Sequence, residues 1–395
     1  MTKRITYFCV LIAFPFLALA QSDVPLQANI MELSSELAAP EIEATAWALM
    51  EINSGWIVTS NGSEEPLPPA SITKLMSNYV VYQQLENGNI SSNDLVSISE
   101  EAWRAEGSRM FADVNTKIEL NHLLKSTVIQ SGNDAAIALA EHIAGTESVF
   151  ASMMNKAAKD LGLQHSFFIN STGLPAEGHT MSASDILLLS AAVIREFPSH
   201  YAWYAEKSYT YNEITQENRN KLLWRDDSID GLKTGYTEAA GYCLVASAER
   251  DGQRWIAVVL GSSDQSTRER QVLSLLNYGF AAYEPLSVLD EQGGVASARV
   301  YYGENDEILL RPPEPVNIVV PRGQEENLQI DLQMSPHYEA PIQAGETMGI
   351  ASLTLNGELL GDIPLIAMSS IEEGGLWKRL TDSISLWVSG LMSDE

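Results

Sequence analysis

Between residues 24 and 283 the apolar positions recur with two different periods. Leu75–Leu85, Ala135–Ile143 and Ile186–Arg195 carry the three-to-four spacing of helices. Tyr242–Ala248 and Trp255–Leu260 carry the alternating or continuous apolar runs of strands, separated by Asp251-Gly252. Thr45–Ile52 and Trp56–Thr59 flank Asn53-Ser54-Gly55, a second hairpin turn. Helices interleaved with hairpin-joined strands predict an α/β (α+β) domain in which helices pack on an antiparallel sheet. Beyond Pro285 the helical period stops. Pro and Gly punctuate short runs at Ala298–Tyr302, Val316–Val320, Leu328–Leu332, Ile350–Leu355 and Glu358–Leu360, and Asn356-Gly357 is a strong hairpin signal. Residues 285–368 therefore predict a small all-β domain.

The two ends follow other patterns. Lys3-Arg4, an apolar run over Ile5–Phe16 and an Ala18-Leu19-Ala20 ending are the three parts of a secretory signal peptide, with cleavage after Ala20. The competing reading is a spanning helix, but the run is shorter than the ~20 apolar residues a span needs. At the other end Leu376, Leu380, Ile384, Trp387 and Leu391 form one face of a helix, detached from the preceding chain by Gly374-Gly375. Periodicity alone leaves two readings of residues 374–393. One is a helix docked on the protein's own core. The other is an interfacial helix with two tryptophans at headgroup level, attaching the protein peripherally to the outer surface of the inner membrane.

Composition narrows the function. With 24 basic and 52 acidic residues in 395, the net charge is −28. Such a chain lacks the basic face that nucleic acid requires. Two cysteines, Cys9 and Cys243, exclude a disulfide scaffold and a Cys-rich zinc site. The six histidines show neither HxxxH nor HExxH spacing, so no metal and no cofactor are expected. A leader cut after Ala20 takes Cys9 with it and places the mature chain in the periplasm.

Three short motifs carry candidate chemistry. Ser71-Ile72-Thr73-Lys74 follows Pro68-Pro69-Ala70, so Ser71 falls at a helix start with Lys74 one turn on, along the same face. A serine hydroxyl needs a neighbouring base, and a lysine serves if burial or nearby positive charge lowers its pKa. The helix start also aims backbone N–H groups at a developing oxyanion. Ser131-Gly132-Asn133 precedes the next helix. Lys233-Thr234-Gly235 leads into the strand pair 242–260, where Gly235 would admit a substrate backbone and Lys233 and Thr234 offer a positive charge and a hydroxyl to a carboxylate. Singly, each has a bland reading as a helix cap, a polar loop or an edge-strand lysine.

In this order the three motifs resemble the signature of penicillin-binding proteins and class A β-lactamases. Gly107-Ser108-Arg109-Met110-Phe111, Gly173-Leu174 with His179, Leu222-Leu223-Trp224 and Asp230–Thr237 narrow the resemblance to low-molecular-weight D-alanyl-D-alanine carboxypeptidases. It spans residue 40 to the terminal helix and implies a penicillin-binding-protein/β-lactamase-like catalytic domain over 24–283. The implied activity removes the terminal D-Ala from peptidoglycan stem peptides, with β-lactam antibiotics acylating the same serine. By motif, Ser71 is the nucleophile, Lys74 its base, and Ser131 the relay to the leaving amine, with Lys233 behind it. Asn133 holds substrate backbone and Lys74. The N–H groups of Ser71 and Tyr236 form the oxyanion hole, and Thr234 with Arg219 binds the terminal carboxylate. Tyr236 stands where many members have His. Arg268 matches a family arginine to which no role is carried over. A β-lactamase needs a water-activating Glu four residues before an Asn, and Asn170 has Ser166 there. A DD-endopeptidase would be expected to lack the extra β-domain, and a non-catalytic sensor would need a broken motif.

Overall fold

The computed structural model describes residues 37–290 and 293–392, with the short strands Phe8–Cys9 and Asn29–Ile30. The leader expected over residues 1–20 lies outside the described residues except for Phe8–Cys9. The chain divides into two compact units, one running from Asp23 to Tyr283 and the other holding Glu284 onward.

The first unit is built on an antiparallel sheet. Its strands are β1 (Ala46–Glu51), β2 (Trp56–Asn61), β3 (Ile229–Thr237), β4 (Gly241–Arg250) and β5 (Gln253–Ser262). The spatial order is β2-β1-β5-β4-β3, which leaves β3 at an edge, and Asn29–Ile30 flank β2. Asp251 and Gly252 both take positive φ between β4 and β5, the conformation a two-residue hairpin of right-handed twist demands.

Helices cover both faces of this sheet. The framework helices are α1 (Lys74–Glu86), α2 (Leu120–Ile129), α3 (Asn133–Ala144), α4 (Glu147–Asp160) and α5 (Ala183–Glu196). They share one core with Met50, Ile57, Val245, Ile256 and Val258 of the sheet. On the opposite face, α6 (Gln265–Ala282) buries Val272, Leu275 and Leu276. A Cβ at Gly279 of α6 would fall 2.7 Å from the Trp255 ring, so only glycine lets the indole lie against the helix there.

The helix α1 is buried on every side over Lys74–Tyr82, where Ser77 and Asn78 find partners inside the fold and the Tyr82 hydroxyl does not. Ser77 Oγ donates to Ser171 O at 2.6 Å, and Asn78 Oδ1 accepts from Thr127 Oγ1 at 2.7 Å. A helix enclosed this way fixes whatever stands at its first turn.

The second unit is a sheet of β6 (Ala296–Tyr301), β7 (Glu307–Arg311), β8 (Leu328–Met334), β9 (His337–Glu339), β10 (Thr347–Leu355) and β11 (Glu358–Ala367). The order is β8-β10-β11-β7-β6-β9, with Phe8–Cys9 parallel to β8. Asn356 and Gly357, both at positive φ, close the β10–β11 hairpin.

After this sheet comes α7 (Leu376–Met392). Its polar face is pinned to the turn after β6: the Tyr302 N–H donates to Asp382 Oδ2 at 2.7 Å, and Lys378 Nζ meets Asp306 Oδ1 at 2.6 Å. Its apolar face is not covered. Leu376, Trp377, Leu380, Ile384 and Trp387 are 53–87% exposed. Among the described residues no helix is long and apolar enough to cross a membrane.

Candidate active site

Pro68-Pro69 ends the preceding loop, and Ala70–Thr73 make a single tight helical turn before α1 begins at Lys74. Ser71 makes no capping bond. Lys74 Nζ stands 3.1 Å from Ser71 Oγ, 2.6 Å from Asn133 Oδ1 and 2.8 Å from Thr172 O. Two of these three neighbours are carbonyl oxygens. A neutral amine has two N–H groups for them and one lone pair left, which faces the serine hydroxyl. The Asn133 amide is oriented by its Nδ2, which donates to Glu106 O at 2.6 Å.

Lys74 is fully buried. Desolvation pulls its pKa from 10.5 down to about 7, against the opposing pull of Asp134 and Glu147. Lys233 is also buried. Desolvation first, then the positive charges of Lys74, Arg219 and Arg268, hold it well below the ordinary lysine range.

Ser131 sits at φ 68°, at the turn that launches α3. Its Oγ is buried with no hydrogen-bond partner, and it lines the same cleft as Ser71. Lys233 Nζ donates instead to Thr234 O at 3.2 Å, so the free structure holds no Ser131–Lys233 bond. The loop opposite is tied down by Asp134, which accepts from the N–H groups of Met110, Phe111 and Ala112 at 3.0–3.2 Å.

The edge strand β3 forms the second wall. A Cβ on Gly235 would lie 2.8 Å from Pro69 O and 3.2 Å from Ser71 N. Gly235 thus lets the chain's own backbone stand beside the nucleophile, and it also lines the cleft. Gly173 does the same from the facing loop, where a Cβ would fall 1.8 Å from Ala70 O. Thr234 is nearly buried at the cleft wall, and Tyr236 is exposed with its ring 4.4 Å from that of Tyr242.

The cleft holds about 530 Å³ and brings together Ser71, Ser131, Asn133, Thr234, Arg219 and Arg268. Arg219 is positioned by its neighbours. Asn218 Nδ2 donates to Glu206 O and Asn220 Nδ2 to Gly231 O, and the Arg219 guanidinium reaches Ser108 Oγ at 3.3 Å. Arg268 is buried on α6. It donates to Cys243 O at 3.3 Å, faces Glu269 at 3.7 Å, and leaves its Nε unpaired. The sequence offers no signal for this convergence except the bare residue match, since it depends on how α6 docks against the sheet.

His179 is buried with burial lowering its pKa to about 4, so it is neutral. Its Nδ1 accepts from the Ile169 N–H, which leaves the Nε2–H for Thr73 Oγ1 at 2.9 Å. Asn170 closes the facing loop on itself. Its Oδ1 accepts from the N–H groups of Thr172 and Gly173, and its Nδ2 donates to Leu174 O.

A buried lysine with its pKa lowered to about 7, aimed at a serine in a cleft that Arg219 and Arg268 also line, is equipment for acyl transfer. The family model for D-alanyl-D-alanine carboxypeptidases matches residues 34–264, and that for the C-terminal domain of penicillin-binding protein 5 matches residues 283–373. The chain belongs to the D-alanyl-D-alanine carboxypeptidase family. It is a serine-type carboxypeptidase and a hydrolase. D-alanyl-D-alanine carboxypeptidase DacC of Escherichia coli is 38% identical over 356 residues, 88% of this chain and 89% of that protein. The structure of penicillin-binding protein 5 from Haemophilus influenzae superposes with a TM-score of 0.83 at 36% identity, covering 85% of this chain and all of that one. Penicillin-binding protein D2 of Listeria monocytogenes, solved in an ampicillin-bound form, aligns with 62% of this carboxypeptidase at 27% identity and TM-score 0.57.

Proposed function

We propose that this carboxypeptidase releases the terminal D-Ala of peptidoglycan stem pentapeptides through an acyl-enzyme on Ser71, and that β-lactams acylate the same hydroxyl. The observation that carries the reading is the buried Lys74 amine, with a pKa of about 7, 3.1 Å from Ser71 Oγ. Neutral Lys74 takes the Ser71 proton as Oγ bonds to the carbonyl carbon of the penultimate D-Ala. The oxyanion forms against the backbone N–H groups of Ser71 and Tyr236. The C–N bond then breaks, and the departing amine takes its proton from Lys74 by way of Ser131, whose hydroxyl has no competing partner. Thr234 and Arg219 hold the terminal carboxylate. Water, deprotonated by Lys74, hydrolyses the ester and restores Ser71. A β-lactam follows the first half of this sequence, but its leaving nitrogen stays tethered to the acyl group.

The chain's location belongs to the same reading. The signal-peptide pattern before Gln21 supports export to the periplasm. The uncovered apolar face of α7 supports peripheral attachment to the outer surface of the inner membrane, lying in the interface without crossing it.

The test is mass spectrometry of the protein cut after Ala20, with and without penicillin, alongside D-Ala release from diacetyl-Lys-D-Ala-D-Ala. A penicilloyl adduct on Ser71, absent in Ser71→Ala, plus free D-Ala is the expected outcome. Rapid penicillin turnover with neither adduct nor D-Ala would mean a β-lactamase. An adduct without D-Ala would shift the reading to cross-link cleavage or to a sensor.

A further inference from the structure

Beside the catalytic cleft lies a second cavity of about 280 Å³, walled by Pro68, Pro69, Leu174, Ala176, Glu177 and Ala239. The two adjoin, since Gly173, Leu174 and Thr237 line both. Their relation along β3 sets a direction. Thr234, with Arg219 and Arg268 lining the same cleft, marks the end suited to a carboxylate. Gly235 abuts Ser71, and the cavity opens past Thr237. A peptide laid on this edge strand with its carboxylate at Thr234 and its scissile carbonyl at Ser71 therefore runs toward the second cavity with its N-terminal part.

The lining says what fits there. The walls are mostly prolyl, leucyl and alanyl, suited to a methylene chain. Apart from His179, which burial keeps neutral, Glu177 is the one ionisable side chain in the lining. The loop bearing it is held at its start by the Asn170 side chain, so the subsite is built before substrate arrives. We infer that this cavity receives the side chain of the diamino acid preceding D-Ala-D-Ala, its methylenes against Pro68, Pro69 and Leu174 and its ammonium at the Glu177 carboxylate. The inference rests on the carboxypeptidase reading and adds to it a preference for a free side-chain amine.

The experiment compares D-Ala release from Nα-acetyl-Lys-D-Ala-D-Ala and from its Nα,Nε-diacetyl form, in the wild-type chain, Glu177→Gln and Glu177→Lys. The wild type should favour the free amine in kcat/KM by about two- to fivefold, the range for a partly exposed ion pair. That ratio should shrink in 0.5 M salt, where the Debye length is only a few ångströms. It should fall to about one in Glu177→Gln and below one in Glu177→Lys. A wild-type ratio of one, or a ratio that the two variants leave unchanged, would overturn the subsite while leaving the carboxypeptidase intact. Failure of the wild type to release D-Ala from either peptide would instead overturn the carboxypeptidase reading, and the subsite with it.

Discussion

Lys74 and Lys233 are cations by nature held almost entirely out of water, whereas Trp377 and Leu376 are apolar side chains held more than four-fifths in it. Each arrangement runs against the ordinary sorting of residues, and in opposite directions. In the cleft, burial alters the group itself, because desolvation lowers the Lys74 pKa to about 7 and so brings its free base within reach near neutral pH. On α7, exposure leaves the group unchanged, and five large apolar residues stand uncovered among the described residues. A buried polar residue is thus a statement about chemistry within the chain, and an exposed apolar face bears on the attachment proposed above.

The strongest way to break this contrast is to remove the buried amine. Lys74→Ala should lower kcat/KM for D-Ala release by roughly 10⁴-fold or more, the scale of losing one member of a nucleophile–base unit. The folded state should survive, as near-UV circular dichroism would show. Residual activity within tenfold of wild type would mean that another group activates Ser71.

Next in size is the exposed face. Five side chains entering an interface at about 1 kcal/mol each imply a partition gain of roughly 5,000-fold. Deleting Gly374–Glu395 should abolish cosedimentation with anionic lipid vesicles while soluble-peptide hydrolysis stays within about twofold. Retention of the truncated chain by vesicles would reject the anchor.

The pH profile sharpens the lysine half. The free base is the active form, so kcat/KM should rise about tenfold per pH unit below about 7 and level off above it. A profile flat from pH 5.5 to 8.5 would place the acylation base elsewhere. The smallest effect concerns the wall that keeps the cleft closed. Gly235→Ala sets a methyl against Pro69 O and should cost about 1–3 kcal/mol in stability by urea unfolding. An unchanged midpoint would mean that the Pro69 turn yields freely.

The sequence showed much of this molecule because local signals and tertiary placement agree. The pairs Asp251-Gly252 and Asn356-Gly357 demand positive φ, and both close hairpins. Ser71 and Lys74 share a helical turn, so their meeting follows from spacing alone. Contacts across the fold were not legible in the same way. Asp134 clasping Met110–Ala112, Arg268 turning into the cleft and Glu177 beside Pro68 depend on how separate elements dock. The closeness of Gly235 to the Pro69 and Ser71 backbone is likewise a matter of docking that its sequence neighbours do not show. Helices α2, α4 and α6 were not singled out from the sequence.

The clamp on the polar side of α7 has a mechanical consequence. Asp382 on the Tyr302 N–H and Lys378 on Asp306 grip the helix at two points one turn apart. A helix held so cannot roll about its long axis without breaking both. When its free face settles into a lipid surface, as proposed, the β-sheet unit inherits that heading, as a hull inherits the heading of its keel. Severing the clamp with Asp382→Ala and Lys378→Ala would leave the helix as sticky as before but turn a rigid mount into a swivel.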